Sequence, residues 1–331
     1  MSYEHELGIA MRDGAETIVV PAALDRDVLR KTRPALTIRK RIASGTGRQV
    51  AFYWKSILVS VVVVLMLCGF TYGAVKLYEV ELGGVRMQVM SDQSLQLTQI
   101  SGEELRQMVE HVRSELLPGE TAVMYVEPFT RERHQLLRDT PGLGVSNPVK
   151  YTDWTAWSAM MKSGTEGITL PAALGEQFEF TAGIQDYPLI SSFGLQGKEA
   201  LDQLRADAGR NGTSMSWTKV DTRDLPTDPL TSFYRAANGE EIYITIELLG
   251  SDVVGMSQYN NNQAFDVAQI GDVEVYYTDS LHFLSDTGHV QTVVWMVDDG
   301  EQIMNVHIGT YSRVITKEQL LAIADEVINV K

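Results

Sequence analysis

The sequence predicts an α+β protein, with a single N-terminal transmembrane helix followed by an extracytoplasmic domain in which helices pack a curved antiparallel sheet. Three observations predict it. Residues 56–75, SILVSVVVVLMLCGFTYGAV, contain neither a charge nor a proline. From Glu240 onward the chain is crowded with alternating, turn-bounded segments that read as strands. Capped segments with one apolar face recur between and after those strands, and that order of strands and helices belongs to an α+β domain.

The apolar run comes first. At the rise of an α-helix it spans roughly 30 Å, the hydrocarbon thickness of a bilayer. Ser56, Val61, Leu65 and Val75 are its anchor residues. Between Val28 and Lys55 there are eight basic residues and no acid. Such an excess marks the cytoplasmic side, so the expected topology is residues 1–55 inside and residues 77–331 outside, in the cell membrane. A cleaved signal peptide fits less well, because its apolar core runs only about 7–15 residues after a short basic start. Cys68, within the run, reads as a small apolar side chain.

Charge divides the chain. Residues 1–55 carry ten bases and six acids, whereas residues 76–331 carry eighteen bases and thirty-seven acids. Such an acidic domain has no phosphate-neutralising patch, which excludes nucleic acid as a partner. The basic stretch before the anchor would instead lie against membrane lipid. With one cysteine in the whole chain, no intramolecular disulfide forms and the outer domain must depend on its apolar core.

Within residues 1–55, Ala22 to Lys31 suit one short helix, with Leu24, Val28 and Leu29 on one face as a candidate surface for a cytosolic partner. Residues 76–150 form a membrane-proximal region. Val80 to Leu97 suggests strands, with Gly83-Gly84 as a turn. Ser101 and Glu104 form a capping box ahead of Leu105, Met108, Val109, Val112 and Leu116 at helical spacing. A strand follows over Thr121 to Val126, and residues 130–150 read as a polar loop.

Residues 151–331 form the C-terminal domain. A helix is expected over Asp153 to Lys162, burying Trp154, Trp157 and Met161, then a strand at Phe178 to Thr181 and a helix at Lys198 to Ala208. Met215 to Val220 reads as a strand. Asn238-Gly239 signals a hairpin before Ile242, Ile244 and Ile246. Further strands fall at Val273 to Tyr277, Val290 to Val297 and Gln302 to Ile308, with Asp298-Asp299-Gly300 as a turn. Thr316 caps a last helix over Lys317 to Val327. The core residues expected here are Trp295, Tyr276, Leu320 and Leu321.

The succession of Val275-Tyr276-Tyr277, Val293-Val294-Trp295, Asp298-Asp299-Gly300, the strand from Ile303 to Ile308 and the final TKEQLLAIADEVI resembles an extracytoplasmic domain family. It is the one at the C-terminus of Gram-positive anti-sigma-factor-like, single-pass membrane proteins. The resemblance covers about residues 150–331 and is best from 240 onward. It implies a membrane-anchored sensor whose tail holds a sigma factor, with a sheet like the half-barrel of lipoprotein carriers.

Chemistry-bearing motifs are absent. There is no G-x-S-x-G, H-E-x-x-H or phosphate-binding loop. His282 and His289 flank a turn, and a metal there would need Asp279 or Asp286 as a third ligand. Turn histidines are more often solvated, so neither metal nor cofactor is assigned. His307, between Val306 and Ile308, is expected to face solvent. The function expected is a non-enzymatic envelope signalling protein. Its partners would be membrane lipid, a cytosolic regulator such as a sigma factor, and an extracytoplasmic protein or cell-wall ligand. The alternative is a structural or assembly membrane protein with a passive tail.

Overall fold

β-Branched and aromatic residues at alternating positions build fourteen strands among the described residues. The computed structural model describes residues 75–82, 85–91, 96–162, 168–189, 195–220, 228–249, 254–259, 266–298 and 303–329. Strands β1 (Val75–Leu82) and β2 (Val85–Ser91) pair antiparallel, and β10 (Val254–Tyr259) joins β2 in parallel.

The transmembrane helix expected at residues 56–75 is corrected here. No helix among the described residues is long and apolar enough to cross a membrane. Val75, the end of the expected span, is the first residue of β1 and pairs with Ser91. Residues 56–74 of the expected span lie outside the described residues, and at its end the β-branched Val75 takes the extended backbone of a strand. Ser56, Val61 and Leu65 lie outside the described residues, as do Leu24, Val28 and Leu29 of the expected partner surface. The single-pass topology, the lipid partner, the anti-sigma-like sensor and the structural membrane protein all depended on that helix and fall with it. What stands is a mixed α+β domain with an eight-stranded sheet.

A three-layer unit follows. Helix α1 (Gly102–Ser114) starts at the expected capping box, in which Glu104 N donates to Ser101 Oγ (3.1 Å) and Ser101 N donates to Glu104 Oε2 (2.9 Å). Leu105, Val109 and Val112 on its inner face pack against Ala122, Met124 and Val126 of strand β3 (Glu120–Val126). The other face of β3 presents Val123 and Tyr125 to Leu201, Leu204 and Ala208 of a later helix. With both faces covered, β3 is apolar almost throughout.

The polar loop expected at residues 130–150 is instead structured. A 3-10 turn, Glu127–Arg131, leads to a short helix, α2 (Gln135–Asp139), and then to β4 (Gly142–Asn147), which pairs antiparallel with β3. Glu132 is buried, and its carboxylate accepts hydrogen bonds from Thr98 N (2.8 Å), Thr98 Oγ1 (2.7 Å) and Gln99 N (2.9 Å). That tie folds the segment preceding α1 onto this turn.

The large sheet is antiparallel throughout. It comprises β5 (Ala173–Leu174), β6 (Phe178–Ile184), β8 (Asp228–Ala236), β9 (Glu241–Leu249), β11 (Asp266–Ile270), β12 (Val273–Leu281), β13 (His289–Asp298) and β14 (Ile303–Thr310). The strand order is β11-β12-β13-β14-β9-β8-β6-β5. One face carries Ile242, Ile244 and Ile246, Met304, Val306 and Ile308, Val293 and Trp295. Helices α3 (Trp154–Lys162) and α5 (Lys317–Asn329) cover that face with Trp157, Met161, Leu320, Ile323, Ala324 and Val327. Trp157 lies so close to Gly183 that a Cβ there would come within 2.0 Å of the indole. The indole N–H donates to Ser232 Oγ at 2.7 Å.

Helix α4 (Leu195–Asn211) and strand β7 (Met215–Val220) leave the large sheet and complete the smaller unit, in the order β4-β3-β7. Sheets and cores therefore exchange elements across residue 150. Trp295 and Leu320 are buried in the helix-covered core. Leu321 is half-buried at its edge, and Tyr276 is buried at a strand position between Val275 and Tyr277, which belong to that core.

Candidate functional site

Helical spacing places Glu103, Arg106, Gln107, Glu110 and Arg113 along one stripe of α1. This stripe forms one wall of a cleft of about 730 Å³. The other wall comes from the end of the large sheet, with Glu240 and Glu241 at the start of β9, the loop Leu284–Thr287, and Tyr311-Ser312 after β14. Leu189 and Val109 add apolar surface.

The two arginines hold the walls in place. Arg106 Nη1 donates to Ser285 O at 2.9 Å, and its Nε sits 3.0 Å from Asp286 Oδ1. Arg113 donates to Ser146 O (3.0 Å) and Leu189 O (2.8 Å), and pairs with Glu110. Glu241 is paired with Arg235 at 2.7 Å. Among the described residues, Glu103 and Glu240 have no ion-pair partner and face the cleft from opposite walls.

A strap after β6 joins this cleft to a buried polar cluster. Asp186 accepts from Ser146 Oγ and from Tyr187 N (2.7 Å), and its carbonyl accepts from Thr231 Oγ1 (2.6 Å). Tyr187, next along the strap, donates to Glu247 on the sheet face opposite the helices. Glu247 Oε2 also accepts from Asn305 Nδ2 (2.6 Å) and lies 3.3 Å from His307 Nε2. Burial pushes this carboxyl up. The nearby His307 charge and the hydrogen bonds from His307, Asn305 and Tyr187 outweigh burial and hold it below the ordinary carboxylate range.

His307 thus does not face solvent, contrary to the alternation reading. Its side chain is 15 % exposed and engages Glu247. The sequence signal was a second alternation. Thr245 and Glu247 on β9 stand opposite His307 and Asn305 on β14, so two polar period-2 rows meet on one face.

Nearer the cleft, the Tyr243 and Tyr311 rings lie 5.3 Å apart, and the His282 ring is 6.1 Å from Tyr311. Tyr243 crosses Gly309, where a Cβ would come within 2.2 Å of its Cζ. Burial pushes the Tyr243 hydroxyl up to about 12 and the His282 imidazole down to about 4. The candidate metal ligands are not brought together as a set of three. His289 pairs with Asp279 at 3.0 Å, Asp286 with Arg106, and His282 packs against aromatic rings. No group of three metal-ligating side chains occurs among the described residues.

Comparison with family models, curated proteins and solved structures finds no match. The resemblance of the C-terminal segment to the anti-sigma-like family has no support there.

Proposed function

We propose that this domain is a non-enzymatic binding module whose working surface is the cleft between α1 and the end of the large sheet. The observation that carries this reading is the way the cleft is built. Val109 of α1 and Leu284 of the facing loop share one core, Glu241 begins β9, whose Ile242 lies in the other, and the guanidiniums of the cleft are engaged in holding its walls. An open, partly apolar recess of this volume suits a ligand or a short peptide segment. Nucleophilic catalysis would require a nucleophile and a base within hydrogen-bond reach of one another. Two carboxylate–histidine pairs occur among the described residues, Asp279 with His289 at 3.0 Å and Glu247 with His307 at 3.3 Å, and neither lines the cleft.

Selection from a random displayed-peptide library tests this reading without presuming the ligand's charge. The full-length chain should enrich peptides whose binding is lost on Gln107→Trp, a substitution that fills the cleft and leaves its charge unchanged. If no peptide is enriched, or if the enriched peptides bind the variant equally well, the cleft is not the binding surface.

A further inference from the structure

We infer that the partner of the cleft is a lysine- or arginine-bearing peptide segment, an inference that rests on the binding role proposed above. The apolar lining comes from Val109 and Leu284, which are buried, and from Leu189 and the ring of Tyr311, which are part-buried. At the rim, each arginine is neutralised by a carboxylate, Arg106 by Asp286 and Arg113 by Glu110, and Glu241 is neutralised by Arg235. Glu103 on α1 and Glu240 at the start of β9 remain in excess, one on each wall. An apolar channel with uncompensated carboxylates at its edges complements a side chain that is aliphatic along its stem and cationic at its tip. Lysine and arginine are the two such side chains in proteins.

The field of the domain has the same sign. Residues 76–331 carry thirty-seven acids against eighteen bases, which attracts a cationic segment and repels an acidic one. A free small cation would leave the apolar lining uncovered. A peptide long enough to span both walls covers it.

The test uses the full-length chain and a fluorescein-labelled peptide of alternating lysine and alanine, with its glutamate counterpart as control. Binding is read by fluorescence polarisation, and each variant is accepted only when its thermal melt matches the parent. The lysine peptide should bind and the glutamate peptide should not. The Glu103→Gln, Glu240→Gln double variant should weaken binding about tenfold. A remote double variant removing the same charge, Glu179→Gln with Asp272→Gln, should change it less than about twofold.

Equal weakening by both double variants would mean diffuse attraction to an acidic protein and would overturn the inference, as would failure of the lysine peptide to bind. If Gln107→Trp abolishes binding while the Glu103, Glu240 variant retains it, the cleft binds peptides but not through these carboxylates. Binding unaffected by all three variants would remove both the cationic partner and the cleft itself.

Discussion

At the scale of single residues, His282 shows how burial sets a pH response. Its Nδ1 is enclosed without a hydrogen-bond partner, and its ring stacks on Phe283 and tilts against Tyr311. Burial holds the imidazole down to about 4, so the folded protein carries it neutral well below its ordinary value of 6.5. Between those two values the unfolded chain takes up a proton that the folded chain does not. Stability contributed by the neutral form is therefore complete above about pH 6.5, is lost as pH falls toward 4, and changes no further below it. Urea unfolding should show a loss of roughly 1–3 kcal/mol from His282 across that window. His282→Phe should flatten this part of the profile. An unchanged slope in the variant would place the response elsewhere. Gly309 makes the complementary point, because its missing side chain lets Tyr243 lie flat on the sheet and meet Tyr311.

At the scale of elements, α5 is the clearest case of a helix whose value lies in what it covers. Thr316 and Gln319 cap it reciprocally, with Gln319 N donating to Thr316 Oγ1 at 3.3 Å and Thr316 N to Gln319 Oε1 at 2.8 Å. Leu320 is fully buried against the sheet core, whereas Leu321, one position on, is half-buried. Leu320→Ala should therefore destabilise by about 2–5 kcal/mol, the range for emptying a core leucine site. Leu321→Ala should cost about 1 kcal/mol, because part of its surface is already in water. Chemical denaturation of the two variants checks the helix's orientation directly. Equal losses would mean that it packs by a different face.

At the scale of the whole molecule, the chain leaves the large sheet after β6, builds α4 and β7 into the smaller unit, and returns at β8. Val123 and Tyr125 of β3 share a core with Leu201, Leu204 and Ala208 of α4. A fragment spanning residues 151–331 retains all eight strands of the large sheet but leaves α4 and β7 without β3. In limited proteolysis this fragment should be cut first between residues 195 and 220, while the large-sheet segments persist longer. The full-length chain should resist there, because those backbone groups are paired and their apolar side chains covered. Equal susceptibility of that stretch in both proteins would mean that the smaller unit does not protect it.

The sequence by itself determined most of the elements of residues 96–329. Caps such as Ser101-x-x-Glu104, the Asn238-Gly239 turn and period-2 alternation are local, and local sterics and hydrogen bonds act before any tertiary contact forms. It could not settle β4, where Gly142, Gly144, Ser146 and Asn147 have little strand propensity of their own and are held by pairing with β3. Nor could it settle Val75, whose apolar surroundings fit helix and strand equally well until its antiparallel partner, Ser91, is known.

The site was less legible than the fold. Glu103, Arg106 and Glu110 could be placed on one stripe of α1 from spacing alone. Their meeting with Glu240, Ser285 and Tyr311 depends on contacts across more than a hundred residues of chain. His307 was read as solvent-facing because alternation tells which residues share a face but not which face is covered. Only the tertiary structure decided that both faces of β9 and β14 are enclosed, since packing against distant elements determines what lies over a sheet.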